Sequence, residues 1–112
     1  MKSLTITASH VPAGLALAVA GDLDHINAPR LRHAAQEAAP PAGRFLVVDL
    51  SELGFCDSSG ITALIAVHNH AVAAGSEMVL VAVPATMRRL LHMTGLDQVF
   101  DIRDDAQSVT VP

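Results

Sequence analysis

The sequence predicts an α/β fold: a mixed, mostly parallel β-sheet with an N-terminal edge strand and about four helices. Three observations carry this. Apolar runs of strand length, Leu15 to Ala20, Phe45 to Leu50 and Met78 to Val83, alternate with segments of helical apolar spacing. Phe45-Leu46-Val47-Val48 is apolar at every position, the pattern of a central strand covered on both faces. After one leading strand, the order strand, helix, strand, helix, strand, helix, strand calls for crossovers between parallel neighbours. With 112 residues, 51% of them hydrophobic, the chain is expected to form one domain over 1–112.

Each element has a local cause. Leu4, Ile6 and Ala8 alternate with polar residues and read as a half-exposed strand. His10 to Gly14 contains Pro12 and reads as a turn. Leu15 to Ala20 reads as a buried strand, and Gly21-Asp22-Leu23-Asp24-His25 as a polar loop. Asn27 is placed to cap a helix that tolerates Pro29 in its first turn. Leu31, Ala34, Ala35 and Ala38 line one face of that helix, and Pro40-Pro41-Ala42-Gly43 stops it. Ser51 to Cys56 reads as a connector. A helix follows from about Ser59 to Ala74, with Ile61, Leu64, Ile65, Ala71 and Val72 at helical spacing and His68 as a polar exception on that stripe. Gly75 stops it. Pro84 opens a helix carrying Met87, Leu90 and Leu91, which Gly95 closes. Val99 to Ile102 reads as a last short strand, and Arg103 to Pro112 as a weak final helix or a fraying end.

Composition excludes several classes of function. Trp and Tyr are absent and aromatic residues make up 3%, which argues against base stacking. A net charge of −4 argues against phosphate backbones, so no direct nucleic-acid partner is expected. One cysteine excludes an internal disulfide and fits a reducing compartment. No apolar run is long enough for a bilayer, and the N-terminus lacks the pattern of a signal peptide. The expectation is a cytoplasmic protein away from membranes. No HExxH, cysteine pair or phosphate-binding loop occurs, and His68 and His70 are two apart on a helix, on different faces. No metal and no cofactor are therefore expected.

The most informative segment is Asp57-Ser58-Ser59-Gly60, where a strand-like run hands over to a helix. Its ordinary reading is a helix cap, because Asp and Ser accept bonds from free N–H groups. Its functional reading is a switch. A hydroxyl at the positive end of a helix tolerates an added anion, and small neighbours leave room for a kinase. A hydrolase nucleophile is disfavoured: the pattern G-x-S-x-G is broken by Cys56, and no histidine is singled out as base. Cys56 itself reads as a small filler rather than a reactive thiol. Asp22 and Asp24 read as solvated loop carboxylates, with cation binding together with His25 as the weaker reading. Both that loop and the Ser58 loop follow parallel strands, so they should lie side by side and form one composite surface.

Val48-Asp49-Leu50-Ser51-Glu52-Leu53, Phe55-Cys56-Asp57-Ser58-Ser59-Gly60-Ile61, Met93-Thr94-Gly95-Leu96 and the upstream Gly21-Asp22-Leu23-Asp24 look like the STAS domains of bacterial anti-sigma factor antagonists. The resemblance implies a STAS-type sheet with helices and no enzymatic activity. It implies that the unphosphorylated form binds an anti-sigma factor, itself a serine kinase, and frees a sigma factor. Phosphorylation of Ser58 then switches binding off, and a PP2C-type phosphatase restores it. The partner-binding set expected on this basis is Asp22, Asp24, Asp57, Ser58, Ser59, Gly60 and Ile61. A weak homodimer is a further expectation. The alternative is a non-switching STAS adaptor subunit of a transport or stress-signalling complex.

Overall fold

Alternation along the central strands writes two faces into the sheet. In β3 (Phe45–Asp49) and β5 (Glu77–Val81), Leu46, Val48, Met78 and Leu80 join one apolar cluster, while Val47, Val79 and Val81 join another. Successive side chains of a strand point to opposite faces, so the two clusters lie on opposite sides of one sheet. The structure, a computed structural model, describes residues 3–38, 40, 42–105 and 109.

The described residues form six strands, three α-helices and one short 3₁₀ helix. β1 (Thr5–Val11) pairs antiparallel with β2 (Gly14–Leu23) at the sheet edge. β2, β3, β5 and β6 (Asp101–Arg103) then run parallel in the order β1-β2-β3-β5-β6. The expected mostly parallel sheet with its antiparallel N-terminal edge strand is present. Helices α1 (Ala28–Ala38), α2 (Ser58–Ala73) and α3 (Ala85–Met93) all send side chains into the first cluster, among them Leu31, Leu64, Val67 and Leu91. Among the described residues, none of the helices contributes to the second cluster, where the buried residues besides the strand valines are Ala13, Ala16 and Val109.

Several expectations need correction. About four helices were expected. The described residues hold three plus a 3₁₀ turn at Leu96–Gln98, and the final helix expected in the tail falls mostly outside them. The turn expected over His10 to Gly14 narrows to Pro12 and Ala13, because β1 and β2 pair right up to Val11 and Gly14. The segment Gly21-Asp22-Leu23 is not loop but the end of β2, and Ser51 to Cys56 is not wholly connector. Its second half is a strand, β4 (Leu53–Cys56), which pairs parallel with that end of β2. Gly21 makes the join. Its φ of 102° and the close approach of the Ser3 carbonyl exclude a side chain, and the ladder shifts register beside it. Smaller shifts move β5 to Glu77–Val81 and β6 to Asp101–Arg103, while Phe100 turns inward as core. Pro41, expected to help stop α1, lies outside the described residues.

Candidate functional site

The segment Asp57 to Gly60 is assembled by four hydrogen bonds. The Asp57 amide donates to the Leu23 carbonyl at 3.3 Å, tying the end of β4 to the end of β2. Asp57 is the N-cap of α2 in an extended conformation, φ −101° and ψ −171°. Its Oδ1 accepts from the amides of Ser59 at 2.9 Å and Gly60 at 3.1 Å, and its own carbonyl accepts from Ile61. The cap is therefore aspartate alone, a device worth about 0.5–2 kcal/mol. Ser58 is the first helical residue and is exposed. Its carbonyl accepts the Thr62 hydroxyl at 2.9 Å, and its own hydroxyl has no hydrogen-bond partner among the described residues. The helix begins one residue earlier than expected, which places this hydroxyl on the helix terminus itself.

Gly60 explains how a helix can start so close to the sheet. It is buried, and a Cβ built there would stand 2.6 Å from the Cys56 sulfur, 2.8 Å from the Leu23 carbonyl oxygen and 2.9 Å from Leu23 Cγ. The carbonyl belongs to a paired strand and cannot swing away. Gly60 thus gives up helix propensity in exchange for contact. Its neighbour Ile61 is half-buried against the main cluster, and Ser59 is half-buried at the mouth of a gap that also touches His25 and Arg32. Ser59, Gly60 and Ile61 are thus seating residues for α2, with Ser58 the most open of the four-residue segment.

The Asp22–Asp24 segment does lie beside the Ser58 segment, since Leu23 pairs with Cys56 and bonds to Asp57. Its carboxylates, however, are not solvated. Asp22 is 8% exposed and Asp24 3%. Asp24 Oδ1 accepts from the amides of Ile26 and Asn27, both at 3.0 Å, and its carbonyl accepts from Ala28 at 2.7 Å. Asp24, not Asn27, therefore shapes the entry to α1. Asn27 instead donates its side-chain amide to the Asp22 carbonyl at 3.1 Å. A short polar run reads as solvated loop until one knows that local backbone amides consume its carboxylates. The exposed residues of this corner are His25 and Ile26, and the sequence reading passed over Ile26. Among the described residues, no group of three or more His, Cys, Asp or Glu could hold a metal ion. No helix there is long and apolar enough to cross a membrane.

Cys56 sits against Gly60 and donates its thiol to the Asp57 carbonyl at 3.5 Å. Burial, and secondarily the Asp57 carboxylate, push its pKa up to about 11. A nucleophilic cysteine needs the opposite shift. The sign is simple: at pH 8 the thiolate fraction falls roughly 100-fold below that of an ordinary thiol with a pKa near 9. Iodoacetamide should alkylate the folded protein about 100-fold more slowly than the urea-unfolded chain at that pH. The native rate should still climb tenfold per pH unit above pH 9, and a plateau near pH 9 would show an unperturbed thiol.

The family model described as Mlab, STAS domain, matches residues 6–104. The anti-sigma-F factor antagonist RsfB of Mycobacterium tuberculosis is 31% identical over 98 residues, 88% of this chain and 80% of that protein. The anti-sigma-B factor antagonist of Listeria monocytogenes is 29% identical over 86 residues, 77% of this chain and 75% of that protein. Among solved structures, an anti-sigma factor antagonist from Mycobacterium paratuberculosis superposes with a TM-score of 0.82 at 28% identity, covering 96% of this chain and 91% of that one.

Proposed function

This chain belongs to the STAS domain family, and on that premise we propose that it is an anti-sigma factor antagonist switched by phosphorylation of Ser58. The relatives carrying that name support the antagonist role. The observation that carries the switch is the exposed Ser58 hydroxyl, set at the first turn of a helix that Asp57 already caps. A hydroxyl free of structural duty can gain a phosphate without undoing the fold.

In the unmodified state the protein binds a serine-kinase anti-sigma factor and thereby releases a sigma factor. The contact surface is the corner where the β2–α1 turn meets the start of α2. Ser58, His25 and Ile26 supply its exposed part, while Asp22, Asp24, Asp57, Ser59, Gly60 and Ile61 give it shape. The kinase then transfers the γ-phosphoryl group of ATP. Ser58 Oγ forms the new O–P bond, the bond to ADP breaks, and the hydroxyl proton passes to a base of the kinase. A PP2C-type phosphatase hydrolyses the ester and resets the protein. The chain itself binds and is modified rather than catalysing, and the whole cycle runs in the cytoplasm.

The test is direct. Incubation with a serine-kinase anti-sigma factor and ATP, followed by mass mapping, is expected to place one phosphate on Ser58. The Ser58→Ala variant should fold, bind the kinase and stay unmodified. Phosphate found on another residue would overturn the assignment.

A further inference from the structure

A second candidate site opens beside the switch segment, on the other flank of β4. β4 pairs with β2, and on its far side β5 stops at Val81, where the chain turns through Ala82 and Pro84 into α3. What remains between β4 and α3 is a groove of about 440 Å³. That volume lies within the range of small-molecule sites, about 300–1,000 Å³. Its walls are Leu53 and Phe55 from β4 with Met87, Leu90 and Met93 from α3. Phe55 is 51% exposed and Met93 75%, so two large apolar side chains stand in water around one concavity. Single exposed apolar residues need no explanation, but several converging on one groove do.

Charge says what would fill it. Among the described residues, Arg89 is the one charged residue lining the groove and no carboxylate lines it, although the protein carries a net charge of −4. Neighbouring side chains on and after α3 have carboxylate partners: Arg88 pairs with Asp104 at 3.6 Å, and His92 contacts Asp97 at 2.7 Å. Arg89 has no ion pair among the described residues. An apolar trough with one free guanidinium at its rim is complementary to an apolar chain with one anionic head. The planar fork of a guanidinium matches a carboxylate in two-point contact. We propose that the groove between β4 and α3 binds a long-chain monocarboxylate, its alkyl chain against Phe55, Met87 and Met93 and its head on Arg89. This goes beyond the switch and does not depend on it. Its place next to Cys56, two residues before Ser58, would put the occupant beside the proposed partner surface.

The methionines provide the readout. Met87 and Met93 line the groove, whereas Met78 is buried in the core under the sheet. Dodecanoate, kept below its micellar concentration, is titrated into the full chain with ¹³C-labelled methionine methyls. The Met87 and Met93 signals should shift saturably and together, and Met78 should stay in place. Arg89→Gln should weaken dodecanoate at least tenfold. Dodecanol should bind the wild type more weakly than dodecanoate and should bind Arg89→Gln as well as it binds the wild type. An unmoved Met78 signal in the variant verifies its fold. Three results would each overturn the proposal: no saturable shift of Met87 and Met93, dodecanoate affinity indifferent to Arg89→Gln, or a groove that responds to an added anti-sigma factor but never to dodecanoate.

Discussion

Ser58→Glu, and the form phosphorylated at Ser58, are expected to lose binding to the anti-sigma factor while melting within a few degrees of the unmodified protein. Swinging a complex from almost fully formed to almost fully dissociated takes about 5.5 kcal/mol, a factor of roughly 10⁴ in affinity. A phosphoryl group adds about −1.5 to −2 charges at pH 7. It would do so one residue from the Asp57 carboxylate, inside the proposed contact. Leaving a desolvated charge unpaired in an interface costs about 2–5 kcal/mol, so the phosphate itself covers most of the requirement. Repulsion from Asp57 adds to it. Asp24 adds little by contact, because its carboxylate is buried and occupied by the Ile26 and Asn27 amides. Glutamate carries a single charge, so its effect should be smaller, on the order of 10²-fold.

The stability half of the prediction follows from the cap. Asp57 supplies the bonds to Ser59 and Gly60, and the exposed Ser58 side chain supplies none within the described residues. Surface substitutions without such duties stay within about 0.5 kcal/mol. That corresponds to about 2–4 °C for a domain of this size. Titration calorimetry against the anti-sigma factor and thermal melting separate the two halves. Retained binding would remove the switch. A melting temperature lowered by more than about 10 °C would make Ser58 a structural residue.

The sequence made some of this legible because strand alternation and helical spacing are local signals. Phe45 to Asp49 and Glu77 to Val81 are apolar on both parities, and both became central strands. The neighbourhood of the Asp22–Asp24 and Ser58 segments followed from parallel order alone. What stayed hidden depends on pairing over distance. β4 is only four residues long and contains Gly54, so it is too short a run for any alternation to declare it a strand. It is a strand because the end of β2, kinked at Gly21, extends past β3 and offers a free edge. The burial of Asp22 was hidden for the same reason, since β4 pairs beside it, whereas Asp24 was hidden because its carboxylate turns back on the Ile26 and Asn27 amides instead of facing water. Val109 was hardest, since its burial is set by what the other face of the sheet lacks.

That lack leads to the second large effect, expected from Val109→Asp. The three helices of the described residues all cover one face of the sheet, yet Val47, Val79 and Val81 on the other are almost wholly shielded. Val109, 5% exposed, is buried with them, so a residue from a segment that looks dispensable closes a second core. A carboxylate cannot stay there unpaired at acceptable cost. The cheaper response is withdrawal of the residue, which forfeits about 1.5–3 kcal/mol for the valine and part of the shielding of three strand valines besides. A loss of about 2–4 kcal/mol should lower the melting temperature by about 10–20 °C and reduce the urea midpoint in proportion. Val99→Asp is the matched control. Val99 is another valine of the C-terminal third, but it is exposed and should tolerate the same charge within about 0.5 kcal/mol. Equal losses in the two variants would mean that hydrophobicity, not the second face, sets the cost. A Val109→Asp melting curve lying on the wild-type curve would mean that the strand valines are shielded without it.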